Sequence, residues 1–190
     1  MNTSTHRTEA SQRTVWSWSR ADTPPELHPL LTTLGGYFPI VADGPGTPIR
    51  ARLGGAGLTV SRRGDETAIL GASVSRVARG IGALLAGLEG ERREQTSFQR
   101  VGLMLDCCRN AVPRVSYLKE WLCRAALMGY NQFMLYTKDT YELPGEEIFG
   151  YLRGRYTADE LRELDAFAAT LGIEMIGCVQ ALGHLEPVLR

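Results

Sequence analysis

The sequence lacks the motifs that would identify the commoner ligand sites. It has no G-x-G-x-x-G fingerprint, no P-loop, no G-x-S-x-G elbow and no H-E-x-x-H helix. The dinucleotide, nucleotide, serine-hydrolase and zinc-protease sites readable from such motifs are therefore not indicated. Histidine is scarce: His6, His28 and His184 are spread over 190 residues, so no two stand at metal-ligand spacing. There is no excess of either charge, because 21 Lys and Arg balance 21 Asp and Glu. A nucleic-acid or anionic-membrane partner would favour a basic excess, so neither is expected. No apolar run approaches the roughly 18 residues of a membrane span. Met1–Arg20 is polar, without the apolar stretch of a secretory signal. The four cysteines, Cys107, Cys108, Cys123 and Cys178, form no C-x-x-C pair. They read as buried free thiols of a cytoplasmic protein, with disulfides or a zinc site as the lesser reading. Cys107-Cys108 has no nearby histidine to activate a nucleophilic thiol. No cofactor and no metal are expected.

The informative feature is a set of three short apolar runs that each end in polar chemistry. Val101–Asp106 leads into Cys107-Cys108-Arg109-Asn110, Gln132–Tyr136 into Thr137-Lys138-Asp139, and Ile173–Val179 into Gln180-Ala-Leu-Gly-His184. The stretches between them carry helical periodicity. Ser116 is a candidate cap for a helix with Leu118, Trp121, Leu122, Ala125 and Ala126 on one face. Thr157-Ala-Asp-Glu160 has the form of a capping box ahead of Leu161, Leu164, Phe167, Ala168 and Leu171. A strand–helix–strand–helix–strand series implies parallel strands. Such strands bury both faces and so read as nearly continuous apolar runs. Arg109, Asp139 and His184 then fall beyond the C-terminal ends of their strands, the rim on which parallel α/β folds build sites. The connection Thr140–Tyr156 is long for a compact domain and holds four aromatic residues, which suggests function or simply cover for the rim.

Upstream, residues 1–22 are rich in Ser, Thr and Arg and are expected to be a disordered tail, with Trp16 and Trp18 anchoring its end. Residues 23–95 read as a small α+β domain. It comprises a helix at Glu26–Leu34 and strands near Tyr37–Val41, Ile49–Leu53, Leu58–Arg62 and Thr67–Leu70. A hairpin turns at Gly64-Asp65, and a helix follows Ser73 or Ser75. Its glycines, Gly80, Gly82 and Gly87, would let it lie close on a sheet. The charged run Glu89–Gln95 is the expected boundary before a parallel unit at 96–190.

Each rim residue has two readings on spacing alone. Arg109 could fork onto sugar hydroxyls or a carboxylate, or pair with Asp106 or Asp139 for structure. Asp139 could accept from ligand hydroxyls or cap a turn. His184 could be a base, a donor or a metal ligand, or a satisfied structural residue.

Four stretches in order, GLMLDCCRNAV, LMGYNQFMLYTKDTYELPG, FGYLRGRYTADELRELDAFAATLGIEMI and CVQALGHLE, resemble the start of the catalytic barrel of glycoside hydrolase family twenty, the β-N-acetylhexosaminidases. The likeness is greatest to the cytoplasmic-type bacterial branch. It implies a small N-terminal α+β domain followed by the first three β/α units of a (β/α)8 TIM-type barrel, a partial catalytic domain. It also implies substrate-assisted retaining hydrolysis, in which the substrate's own 2-acetamido oxygen attacks the anomeric carbon. In this likeness Arg109 matches the arginine that grips the terminal sugar, and Asp139 and His184 match polar residues of the same pocket. The adjacent Asp-Glu pair that the family carries after its fourth barrel strand has no counterpart here. Gly145-Glu146-Glu147 precedes the second helix and cannot replace it. A closed barrel needs about 250 residues, so the chain reads as cut short and inactive by itself. The implied partner is a glycan ending in N-acetylhexosamine, with homo-oligomerisation left open. Two alternatives stand beside this reading: a non-enzymatic sugar-binding fragment, and an unrelated open α/β ligand-binding domain.

Overall fold

The computed structural model describes residues 14–180. Among these residues there are three sheets, with four α-helices packed among them. In the first, β1 (Trp16–Trp18) lies between β2 (Ile40–Ala42) and β3 (Thr47–Pro48), all parallel. This corrects the expectation of a disordered tail through residue 22. Trp16 and Trp18 are each only 2% exposed. An indole buries on the order of 150–250 Å², enough to hold a three-residue strand that the polar composition around it disguises. Arg62 lies 5.1 Å over the Trp16 ring and Arg20 lies 5.4 Å over Trp18.

The helix foreseen at 26–34 is a short 3-10 turn, Pro25–Leu27, running into α1 (His28–Gly35). Pro29 at its second position has no N–H to bond, so the break falls there. The second sheet has the order β4-β6-β5-β7, with β4 Arg50–Leu53, β5 Leu58–Arg63, β6 Glu66–Gly71 and β7 Gly90–Glu94. The β5–β6 hairpin turns at Gly64-Asp65, as its sequence suggests. Gly64 takes φ +60°, the conformation a two-residue loop demands at its first position. The charged run read as a boundary is the edge strand β7. Its Glu and Arg side chains suit an edge that must not pair further. Ser73 caps α2 (Val74–Leu85), its Oγ accepting from the Arg76 N–H at 3.3 Å.

The third sheet is the series read from the three apolar runs: β8 (Gly102–Asp106), β9 (Gln132–Thr137) and β10 (Glu174–Val179), parallel, with β9 central. Between them lie α3 (Val115–Met128) and α4 (Ala158–Thr170). The capping box of α4 is complete: Thr157 Oγ1 accepts from the Glu160 N–H at 3.1 Å and the Glu160 carboxylate from the Thr157 N–H at 2.8 Å. Ser116 is not a cap. The helix starts two residues earlier than a Ser116 cap implies, with Arg114 in the cap position and no side-chain bond to the helix end.

The helices form the middle of the molecule. α2 lies on the second sheet through Val77, Ala78 and Ile81, and its other side meets α3. A Cβ on Gly80 would stand 2.7 Å from Ile69 on the sheet, and one on Gly82 would stand 2.1 Å from the Leu127 carbonyl oxygen of α3. One glycine thus admits the sheet and the other admits the next helix, where the sequence suggested the sheet alone. α4 packs on α3 and on α1, and Thr33 and Thr170 hydroxyls bond at 2.9 Å. One continuous core runs from Trp16 through Ile81, Leu122 and Phe133 to Leu164.

β8, β9 and β10 turn Leu103, Leu105, Phe133, Leu135 and Met175 to this core. The row Met104–Met134–Ile176 lies on the opposite face, outside it, with Met104 55% exposed.

Candidate functional site

The site is built where β8 and β9 end. Asp106, the last residue of β8, folds the loop that follows: its Oδ1 accepts from the N–H groups of Cys108 at 3.0 Å and Arg109 at 3.2 Å. A carboxylate bonding amides two and three residues on is a local turn that needs no tertiary help. Its Oδ2 accepts from Arg109 Nη1 at 3.0 Å. The Cys108 amide above all holds the Asp106 carboxyl below its usual range; desolvation pushes it up, and the Cys108 thiol, the Arg109 amide and the Arg109 charge add to the lowering. Arg109 then leans across the rim to β9. Its guanidinium carbon is 5.2 Å from the Tyr136 ring centroid, and Nη2 is 3.5 Å from the phenol oxygen. The Arg109 side chain remains 68% exposed. The structural reading of Arg109 therefore holds as far as Asp106 is concerned. It leaves most of the fork facing solvent, and a guanidinium held on one side can still donate on the other.

Asp139 lies two residues past β9, with its side chain 16% exposed. Its neighbour is Arg153, not Arg109: Arg153 Nη1 is 3.5 Å from Oδ1. That is close enough for attraction but not aligned for donation, and Oδ1 has no hydrogen-bond partner among the described residues, nor does Thr140 Oγ1 beside it. Arg153 also donates through Nη2 to the Cys108 carbonyl. One arginine thus spans from the residue before Arg109 to Asp139, and ties the loop after β8 to the loop after β9. Arg109 and Asp139 share the C-terminal rim of one parallel sheet. His184 lies outside the described residues.

The long connection 140–157 is ordered by its own aromatics. Phe149 is 4% exposed and meets Tyr141 edge-on at 5.1 Å. Tyr156 is 3% exposed and donates to the Pro113 carbonyl at 2.7 Å, which pins the end of the strap to the loop after β8. Burial raises the Tyr156 phenol well above its usual range, so it stays protonated as a donor. Gly150 takes φ +69°, and a Cβ there would fall 2.1 Å from the Asp139 carbonyl oxygen. Only glycine lets the strap close over Asp139. Burial likewise pushes the Cys107 thiol up, and Cys123 up to about 12. Neither is a nucleophile near neutrality.

Sequence reasoning missed Tyr136 and Arg153. Tyr136 was readable as the residue level with Asp106 once the strands are set in register. Arg153 is one of two arginines in Arg153-Gly-Arg155, and no local pattern says which reaches back. Among the described residues no group of three or more His, Cys, Asp or Glu could hold a metal ion.

No protein-family model matches the chain. Human hexosaminidase D is 30% identical over 95 residues, 50% of this chain and 19% of that protein. Among solved structures, an N-acetyl-β-hexosaminidase of Streptomyces plicatus matches 90% of this chain at a TM-score of 0.71 and 20% identity. A family-twenty exo-β-N-acetylglucosaminidase of Vibrio harveyi, in complex with N-acetylglucosamine, matches 87% at 0.64 and 20% identity. This chain spans 43% and 32% of those two chains. The resemblance read from the sequence and the likeness of the fold thus point to the same group of proteins, and the chain has the mixed α/β fold found over less than half the length of these β-N-acetylhexosaminidases.

Proposed function

We propose that this chain is the sugar-gripping part of a β-N-acetylhexosaminidase of glycoside hydrolase family twenty. The observation that carries the proposal is the shared rim of β8 and β9, with Arg109 and Asp139 linked through Cys108 and Arg153, in a fold that matches these enzymes. In this reading β8–α3–β9–α4–β10 is the first part of a (β/α)8 barrel. The face bearing Met104, Met134 and Ile176 becomes barrel interior, which explains an apolar row left outside the core. The units 23–95 and 96–190 are then the small domain and the partial catalytic domain, packed on one another.

The substrate is a glycan ending in β-N-acetylhexosamine, N-acetylglucosamine first. The outward N–H groups of Arg109 fork onto neighbouring hydroxyls of the terminal ring, and Asp139 accepts from another. His184, outside the described residues, is the third substrate-binding residue in this reading, by the resemblance alone. The acetamido oxygen of the substrate supplies the nucleophile, so the protein needs a carboxylate to orient it and an acid to protonate the leaving group. Neither is supplied by 1–190. General acid catalysis contributes roughly 10²–10⁴-fold, so the chain alone is inactive, and it acts with the carboxylates of the remaining barrel. The free thiols Cys107, Cys108, Cys123 and Cys178 suit a reducing cytoplasm.

The test has two arms. Chain 1–190 releases no nitrophenol from nitrophenyl N-acetylglucosaminide above the blank, and release that Arg109→Ala abolishes would overturn the claim of inactivity. In calorimetry N-acetylglucosamine binds 1–190, and Arg109→Ala weakens it by about tenfold, as expected for a charged hydrogen bond. Binding indifferent to Arg109 would overturn the proposed grip.

A further inference from the structure

A cleft remote in sequence from the rim of β8 and β9 opens in the N-terminal half of the chain. It has a volume of about 500 Å³ and lies among Ser19, Asp22, Asp43, Gly44, Arg50 and Arg52. That volume is within the range of small-molecule sites, roughly 300–1,000 Å³. It opens where the parallel strands β1 and β2 end, at Trp18-Ser19 and Ala42-Asp43, and open parallel sheets take ligands beyond the carboxyl ends of their strands.

Charge decides what the cleft can hold. Arg50 and Arg52 are two residues apart on β4, so both side chains leave the same face of the strand. Ala51 between them is fully buried in the core, so both arginines leave the exposed face of β4, where both line the cleft and Arg50 also borders a groove with Ser61, Arg63 and Glu66. At about 3.3 Å per residue their Cα atoms are about 6.6 Å apart. Neither forms an ion pair with a carboxylate among the described residues. Arg52 is held in place by donating to the Asp22 carbonyl, so one fork is already oriented. Asp43 could cancel this positive charge, but it is engaged elsewhere: the Arg20 N–H bonds its Oδ1 at 2.9 Å and Arg20 Nε lies 3.2 Å from Oδ2. Asp43 also sits at φ +50°, a conformation that costs free energy for a non-glycine residue and often marks a site. What remains is two guanidiniums without a carboxylate partner, the Asp22 carboxylate, and the Ser19 hydroxyl, which accepts from the Asp22 N–H at 3.3 Å and keeps its second lone pair and its proton.

We propose that this cleft binds a small polyol carrying one anionic group, a sugar phosphate or a sugar acid. Arg50 and Arg52 take the anion by bidentate donation, while Asp22 and Ser19 accept from ligand hydroxyls. The proposal stands independently of the hexosaminidase reading, since it uses none of the residues at the β8–β9 rim.

The experiment is isothermal titration of chain 1–190 with glucose 6-phosphate, glucuronate, glucose and inorganic phosphate, on the parent and on Arg50→Gln and Arg52→Gln. At least one charged sugar binds tenfold or more tighter than glucose. Each substitution weakens it by about tenfold, with an unchanged melting temperature that separates lost binding from lost folding. Preference for glucose 6-phosphate over glucuronate identifies phosphate as the anion, and the reverse identifies a carboxylate. Affinity that neither substitution alters, or charged sugars that bind no better than glucose, overturns the proposal. Inorganic phosphate binding as tightly as glucose 6-phosphate overturns the assignment of Asp22 and Ser19 to ligand hydroxyls.

Discussion

Asp106 carries two duties at the end of β8, and they can be separated. Its Oδ1 shapes the loop through the Cys108 and Arg109 amides, and its Oδ2 holds the Arg109 guanidinium. Because the Cys108 amide is the main cause of the lowered pKa, Arg109→Ala raises the Asp106 titration midpoint only slightly, read by NMR. The sign follows from linkage: a carboxyl whose folded pKa is depressed contributes stability above its unfolded pKa and loses it as pH falls through the folded value. Asp106→Asn therefore lowers stability near neutrality, where the carboxylate contributes, leaves it unchanged in strong acid, where Asp106 is already protonated, and so flattens the acid limb of the stability curve. Thiol labelling offers a second check. Cys107 and Cys123 are wholly buried with raised pKa values, while Cys178 is partly exposed. Iodoacetamide modifies Cys178 first in the native chain, and equal rates at all cysteines would contradict the packing. Arg109 and Asp139 were legible as rim residues because each directly follows an apolar run. Arg153 was not, because its partners Cys108 and Asp139 lie 45 and 14 residues away along the chain, and only the closed strap brings them together.

At the scale of elements, local chemistry was a sound guide where the signal was local. The Thr157–Glu160 box caps α4 as its spacing predicts, and the Gly64-Asp65 hairpin turns where expected. Thr157→Ala costs about 1 kcal/mol, measured as a shift in urea midpoint at constant slope. Elements held by distant partners were misread. β1 is a strand because β2 and β3 flank it, and β7 because it finds the edge of β5. Helix contact sets a stricter rule still. Gly82→Ala places a methyl where the Leu127 carbonyl oxygen already stands, so it destabilises by about 1–3 kcal/mol as overpacking, even though alanine is the better helix former. A neutral or stabilising result would mean that α2 and α3 do not approach as closely as described.

For the molecule as a whole, the governing fact is asymmetry. The third sheet buries one face against α3 and α4 and leaves Met104, Met134 and Ile176 on the other. Its outer strands β8 and β10 each pair with β9 alone among the described residues. Beside α4 a groove of about 270 Å³ runs along Leu135, Leu161, Met175 and Val179. Exposed apolar surface and free strand edges favour association. Chain 1–190 accordingly binds a hydrophobic dye in the folded state. Met104→Lys lowers that signal while changing stability by no more than about 0.5 kcal/mol, as for an exposed position. Dye binding unaffected by Met104→Lys would place the exposed patch elsewhere.

The sequence by itself determined the parallel series β8–β9–β10, the helices between its strands, and the placement of Arg109 and Asp139 just beyond strand ends. These follow from periodicity and strand-end position, which are properties of neighbours along the chain. Only the tertiary structure decided that Trp16–Trp18 is a buried strand, that Gly82 serves helix contact, that Arg153 joins the two rim loops, and that Arg50 and Arg52 face a common cleft. Each of these depends on groups far apart in sequence meeting in space, and the free energy that selects them comes from burial and charge pairing that no local window contains.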